Sequence, residues 1–140
     1  MSSIVIDASV ALKWVLAEAG QDLADALLDR DLIAPSLWLI EAANALWRRT
    51  TRGEITTTEA AERLAELMQA PVTTTPVEAD IAAAIGLASQ LGHPVYDCLY
   101  LALAIREDTV VVTADARFHA AVSGYPALAG RVRRLGDPVP

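Results

Sequence analysis

The sequence predicts an α/β fold, with a short, mostly parallel sheet and helices on both faces. Short, mostly β-branched runs recur along the chain, at residues 3–6, 32–34, 72–75 and 109–113. Helix-length segments with apolar faces separate them, which is the pattern of parallel strands joined by crossovers. The chain is 140 residues long with 54% hydrophobic residues and shows no repeat, low-complexity run or linker. One domain over residues 1–140 with a sizeable core is therefore expected.

Taken in order, residues 3–6 are apolar, end at Asp7 and read as a buried parallel strand. Ser9 reads as the N-cap of a helix from Val10 to about Ala19, stopped by Gly20. A second helix is expected over about 21–30, with Leu23, Leu27 and Leu28 on one side. A strand over 32–34 closes at Pro35, and Ser36 then caps a long helix over about 37–52, ended by Gly53. Thr58 is the expected cap of a helix reaching Gln69, which Pro71 ends. After a strand over 72–75, Pro76 opens a helix to about Leu91, with Gly92 as its C-terminal cap. Helices are expected over 96–106 and 114–122, either side of the strand 109–113. A last strand is expected over 131–135. Helices outnumber strands, so some crossovers carry two helices.

The longest apolar stretch, Cys98 to Ile105, is too short to span a bilayer. The first residues lack a leader's basic start and cleavage site, so a cytoplasmic protein with no membrane contact is expected. The lone Cys98 cannot form an internal disulfide and reads as packing. A net charge of −7 argues against a simple coat of nucleic acid, which needs a basic surface. Two divalent cations in an acidic site would offset four of those charges. The positive residues are ten arginines and the single Lys13, and arginine forks suit phosphate.

Four acids stand out. Asp7 ends an apolar strand, and Asp115 follows the strand TVVVT. In open α/β sheets, sites form outside the carboxyl ends of strands. Glu41 is the only charge in LWLIEAANALW, and Asp97 opens the apolar helix DCLYLALAI. Each has an ordinary alternative: a turn or helix cap for Asp7 and Asp115, a solvated face for Glu41, a helix N-terminal acid for Asp97. Together they suggest convergence. Two like charges 4 Å apart cost roughly 4 kcal/mol at an effective dielectric of 20, so four clustered carboxylates need protons or cations. A hard divalent ion with oxygen ligands, Mg2+ or Mn2+, is the natural compensator, and it points to phosphodiester hydrolysis.

Asp7 within IVIDASV, Glu41 within an E-x-x-N helix ending at Asn44, Asp97 within YDCLYLALA and Asp115 within TADARF together resemble the PIN-domain nucleases. The resemblance is close to the VapC toxins of toxin–antitoxin pairs and runs from Ile4 to about Leu135. It implies a three-layer α/β/α sandwich and Mg2+- or Mn2+-dependent cleavage of RNA. It also implies that Asp7, Glu41, Asp97 and Asp115 surround the metal, with Ser9, Asn44 and Thr113 in supporting positions. A homodimer and a cognate antitoxin with a basic tail are implied as partners.

On the expected third helix, Arg48 follows Glu41 by seven residues and Arg52 by eleven. That puts both within about 20° of its stripe, starting roughly 10 Å further along. They are candidates for a neighbouring phosphate, against the ordinary reading of a solvated helix end. His93 reads as a surface loop residue, with a substrate contact as the lesser alternative. No histidine or lysine stands out as a general base. Trp14, Trp38 and Trp47 are expected mainly in the core, with one possible at a dimer interface.

Two other acidic α/β enzymes fit poorly. A response-regulator receiver needs paired acids after its first strand and a late lysine, but Ala8 follows Asp7 here. A haloacid-dehalogenase-like phosphatase needs a second Asp where Ser9 stands. A silent PIN-like binding module, or a single-stranded DNA or 5′-nuclease of the same superfold, remain the alternatives to a ribonuclease.

Overall fold

In the computed structural model, which describes residues 3–140, five parallel strands form one sheet in the order β3-β2-β1-β4-β5. They are β1 (Ile4–Ile6), β2 (Leu32–Pro35), β3 (Val72–Thr75), β4 (Val111–Thr113) and β5 (Val132–Arg134). The three inner strands are buried along their whole length, and their sequences IVI, LIAP and VVT are accordingly almost free of polar residues. The edge strands, VTTT and VRR, carry the polar side chains that an edge can expose to water.

Between β1 and β2 lie α1 (Ala8–Ala11) and α2 (Gln21–Ala26), each extended by a 3-10 turn. Between β2 and β3 lie α3 (Trp38–Thr51) and α4 (Thr57–Met68). A 3-10 turn, α5 (Ile81–Leu91) and α6 (Val95–Arg106) lead to β4, and α7 (Ala116–Ser123) and α8 (Pro126–Ala129) lead to β5. The two-helix excursions expected from the sequence are therefore present, and the architecture is the α/β/α sandwich. The chain runs leftward from β1 to β3, then crosses back to β4 and runs rightward. Right-handed crossovers put the helices of the two runs on opposite faces. The reversal falls between β1 and β4, which pair through Val5–Val111 and Ile6–Val112.

Several boundaries differ from expectation, each for a local reason. Asp7, not Ser9, caps α1, its carboxylate accepting from the Val10 amide at 3.3 Å; the Ser9 hydroxyl is turned onto Asp7 instead. The helix expected to reach Ala19 ends at Trp14, and Lys13 reaches the Ala19 carbonyl at 2.7 Å across the loop that follows. Ser36 does not cap α3: the helix starts at Trp38 with Leu37 in the cap position, while Ser36 still belongs to the β2–β3 pairing, its amide donating to Thr75. Thr56, not Thr58, caps α4 through a reciprocal capping box with Glu59, three residues on. The helix expected from Pro76 is broken at Asp80, whose buried carboxylate pairs with both Nε and Nη2 of Arg106 at 2.8 and 3.0 Å. The helix expected from Ala114 starts at Ala116, with Asp115 as its cap. The short helix α8, which opens on Pro126, has no counterpart among the expected elements.

The core joins the inner strands to α6, where Cys98 to Ala104 are all buried. Burial pushes the Cys98 thiol up to about 11, so it packs as an inert hydrophobe. Trp38 is buried and Trp14 half-buried with its Nε1 donating to the Ala24 carbonyl, but Trp47 is 59% exposed. Leu23, expected on one side of a helix with Leu27 and Leu28, is likewise half in solvent, whereas Leu27 is buried in the 3-10 turn that extends α2.

Candidate active site

Asp7 leaves the carboxyl end of β1 at the point where the strand order reverses, and both of its oxygens are held. Oδ1 accepts from the Ser9 hydroxyl at 2.5 Å and Oδ2 from the Thr113 hydroxyl at 2.5 Å. Those hydroxyls are themselves fixed by backbone donors: Ala114 N–H reaches Ser9 across the β1–β4 junction at 2.9 Å, and Asp115 N–H reaches Thr113 locally, two residues back, at 3.0 Å. Asp7 is only 4% exposed. Burial pushes its carboxyl up to about 7, against the pull of the two hydroxyls, and the charge of Asp97 adds to the rise.

Glu41 sits in the first turn of α3, and its Oε1 accepts a short hydrogen bond from the Tyr100 hydroxyl. Burial raises the Glu41 carboxyl, the tyrosine bond opposes the rise, and Asp97 adds to it. Asp97 lies in the first turn of α6, where the helix dipole favours a negative charge. Its carboxyl is nevertheless raised by burial, with the bond to His93 opposing and the charge of Asp115 adding. Asp115 caps α7 by accepting from the Arg117 amide at 2.9 Å.

Asp7, Glu41, Asp97 and Asp115 line one pocket of about 180 Å³, together with Ser9 and Arg48. Of the two arginines on the Glu41 stripe, Arg48 therefore reaches the acids, and Arg52 is exposed outside the lining. Among the described residues Arg48 makes no salt bridge, whereas its neighbour Arg49 pairs with Glu18 and Glu54. Asn44 is exposed and also stands outside the pocket. Thr113 supports the site from behind, through Asp7.

Two contacts were not anticipated. His93 is not a surface loop residue; it is half-buried, with Nε2 2.5 Å from Oδ2 of Asp97. Tyr100 lies three residues beyond Asp97 on the same face of α6, a spacing that could have flagged it. Its reach to Glu41, 59 residues away, has no sequence signal.

The sequence matches the PIN domain family model over residues 4–123. The chain belongs to the PIN domain family. Two solved structures share the fold of this PIN domain. PAE2754 from Pyrobaculum aerophilum gives a TM-score of 0.71 at 21% identity, covering 96% of this chain and 85% of its own. VapC20 from Mycobacterium tuberculosis, a sarcin-ricin loop cleaving toxin, gives 0.66 at 19% identity, covering 84% of this chain and 94% of its own. No curated protein matches the chain.

PIN domains generally use divalent metal ions, and the residues here can be tested for such an ion. Among the described residues, no three His, Cys, Asp or Glu side chains already form a set that holds a metal by themselves. The chemistry of the donors nevertheless fits. They are carboxylate oxygens whose charged forms are disfavoured first by burial and then by neighbouring acids, Asp97 acting on Asp7 and Glu41 and Asp115 on Asp97, a penalty that a hard cation relieves. Mg2+ keeps several waters and needs only one or two direct carboxylates, so a complete cage of side chains is not required.

Proposed function

We propose that this PIN domain is a Mg2+-dependent endoribonuclease, with Mn2+ able to substitute, acting as the toxin of a toxin–antitoxin pair. The observation that carries the reading is the convergence of four acids from four elements, with Arg48, in one pocket where the strand order reverses.

In this reading Asp7, Glu41 and Asp97 hold the ion, and Asp115 completes the site or helps to hold a second. The chemistry supplied by a bound ion is polarisation of a phosphoryl oxygen and acidification of a water. The rest falls to the chain. Ser9 and Thr113 keep Asp7 in one rotamer by engaging both of its oxygens. Tyr100 does the same for one oxygen of Glu41. Without a cation, Asp7 holds a proton up to about neutrality, so cation and proton compete for that carboxylate. One of the carboxylates receives the proton of the attacking water as it lines up on the phosphodiester. Arg48 takes a neighbouring phosphate, giving an otherwise acidic pocket its attraction for RNA.

The likeness to VapC20 supports the toxin assignment, and with it a cognate antitoxin whose basic tail suits a chain of net charge −7. The exposed Trp47 beside an apolar groove between α3 and α4 supports a protein partner, antitoxin or second copy, on that face. Among the described residues no helix is long and apolar enough to cross a membrane, and we place the protein in the cytoplasm.

The test is cleavage of RNA and of single-stranded DNA in parallel, in Mg2+ and in EDTA, by wild type, Asp7→Asn and Asp97→Asn. RNA cut only with Mg2+, and by neither folded variant, supports the proposal. Cleavage confined to single-stranded DNA would replace it with the DNA-nuclease reading. No cleavage of either by folded wild type would leave a binding module.

A further inference from the structure

We propose that His93 is a positioning residue: through Oδ2 it fixes the carboxylate of Asp97 so that the other oxygen is presented to the divalent cation. This inference rests on the metal-dependent reading of the pocket.

The local sequence builds the contact. Gly92, with φ +62°, ends α5 in the left-handed conformation, and Pro94 fixes the backbone just before α6. The single residue between them is thereby set four positions before Asp97. An ionised carboxylate only accepts hydrogen bonds, so His93 Nε2 is the donor at 2.5 Å, and Asp97 Oδ2 is occupied. Oδ1 has no hydrogen-bond partner among the described residues, while Asp97 lines the acidic pocket.

The imidazole is held from its other side as well. It stacks on Phe118, with ring centres 5.6 Å apart and planes 20° from parallel. Phe118 is fully buried in α7, three residues after Asp115, which caps that helix. One ring thus packs on the helix that carries the fourth acid and hydrogen-bonds the third. A side chain left to solvent would make neither contact. Groups that orient metal-binding carboxylates and imidazoles by hydrogen bonding affect metal affinity about 10–100-fold.

The experiment uses the full chain and Mn2+ as the probe, with free Mn2+ counted by electron paramagnetic resonance. His93→Phe keeps a ring against Phe118 but removes the donor. His93→Gln supplies an amide N–H at nearly the position of Nε2. The proposal expects Mn2+ affinity to fall about tenfold or more in His93→Phe, and to return to within about threefold of wild type in His93→Gln. Near-ultraviolet circular dichroism should show both variants folded. Wild-type affinity in His93→Phe would overturn the inference. So would equal losses in both variants, because the hydrogen bond would then not be the cause. A wild type that binds no Mn2+ at millimolar concentration would instead defeat the metal-dependent reading, and this inference with it.

Discussion

The Thr113 hydroxyl on β4 donates to Oδ2 of Asp7 at the end of β1, joining residues 106 apart in sequence across adjacent parallel strands. The Thr113 hydroxyl oxygen in turn accepts from the Asp115 amide, so one hydroxyl positions two acids of the pocket. Thr113→Val keeps the shape and removes both bonds. It should destabilise the protein by about 1–3 kcal/mol, because a buried carboxylate and an amide each lose a partner. It should also lower cleavage at pH 7 by at least about tenfold, since the hydroxyl is one of the groups holding the Asp7 carboxyl down. Thr113→Ser restores the donor and should recover most of both. Chemical denaturation and RNA cleavage by the three proteins check this.

Without metal, stability should depend on pH in an unusual direction. The folded Asp7 carboxyl titrates near 7, well above its unfolded value of 3.8, so folding favours the protonated form. Stability from this group is complete below pH 4 and is lost as pH rises through about 7. Glu41 and Asp97 are raised too and act with the same sign. In EDTA the melting temperature should therefore fall between pH 5 and pH 8. Asp7→Asn, which cannot ionise, should flatten that fall and match or exceed wild type at pH 8. The full effect of Asp7 is on the order of 4 kcal/mol. A melting temperature that climbs over this range in EDTA, in wild type and variant alike, would contradict the burial argument.

Arg48 and Arg52 share a helix stripe, but only Arg48 lines the pocket. Arg48→Glu should raise KM for RNA about tenfold or more, leave Mn2+ affinity no weaker, and reduce the salt dependence of binding. Arg52→Glu should have a much smaller effect. Equal effects from the two would mean that overall charge matters and the pocket position of Arg48 does not.

Asp80 is as buried as Asp7, at 3% exposed, but it is paired with Arg106 and lies on no part of the pocket. Arg106→Ala should leave that carboxylate unpaired and cost about 3 kcal/mol, at the low end for a broken buried pair because the guanidinium is partly in solvent. Cleavage per folded molecule should be unchanged. Urea titration and initial rates separate the two effects.

The contrast between Asp7 and Asp80 shows what the sequence could and could not reveal. Asp7 and Asp115 were visible because they follow apolar strands, and strand ends are where open sheets place their sites. Glu41 was visible because it interrupts an apolar helix. Asp80 sits between a proline-started turn and a helix, a place where an acid is ordinary, and its partner is 26 residues on. The strands were legible from their β-branched runs, and so was the alternation that orders them. The caps differ from those expected at Ser9, Ser36 and Thr58 because the Ser9 hydroxyl is engaged by Asp7 and Ala114, α3 starts one residue later with Leu37 in the cap position, and Thr56 has the better-spaced glutamate. The reach of Tyr100 to Glu41 depends on how α6 packs against α3, which no local pattern encodes; His93, by contrast, lies one helical turn before Asp97, a spacing the sequence carries.

The most direct test of the metal-dependent reading is anomalous diffraction from crystals soaked in Mn2+. A single strong peak, or a close pair, should lie among Asp7, Glu41 and Asp97, and should vanish in Asp97→Asn. Crystals of an active protein that show no Mn2+ in this pocket, or show it bound elsewhere on the chain, would contradict it.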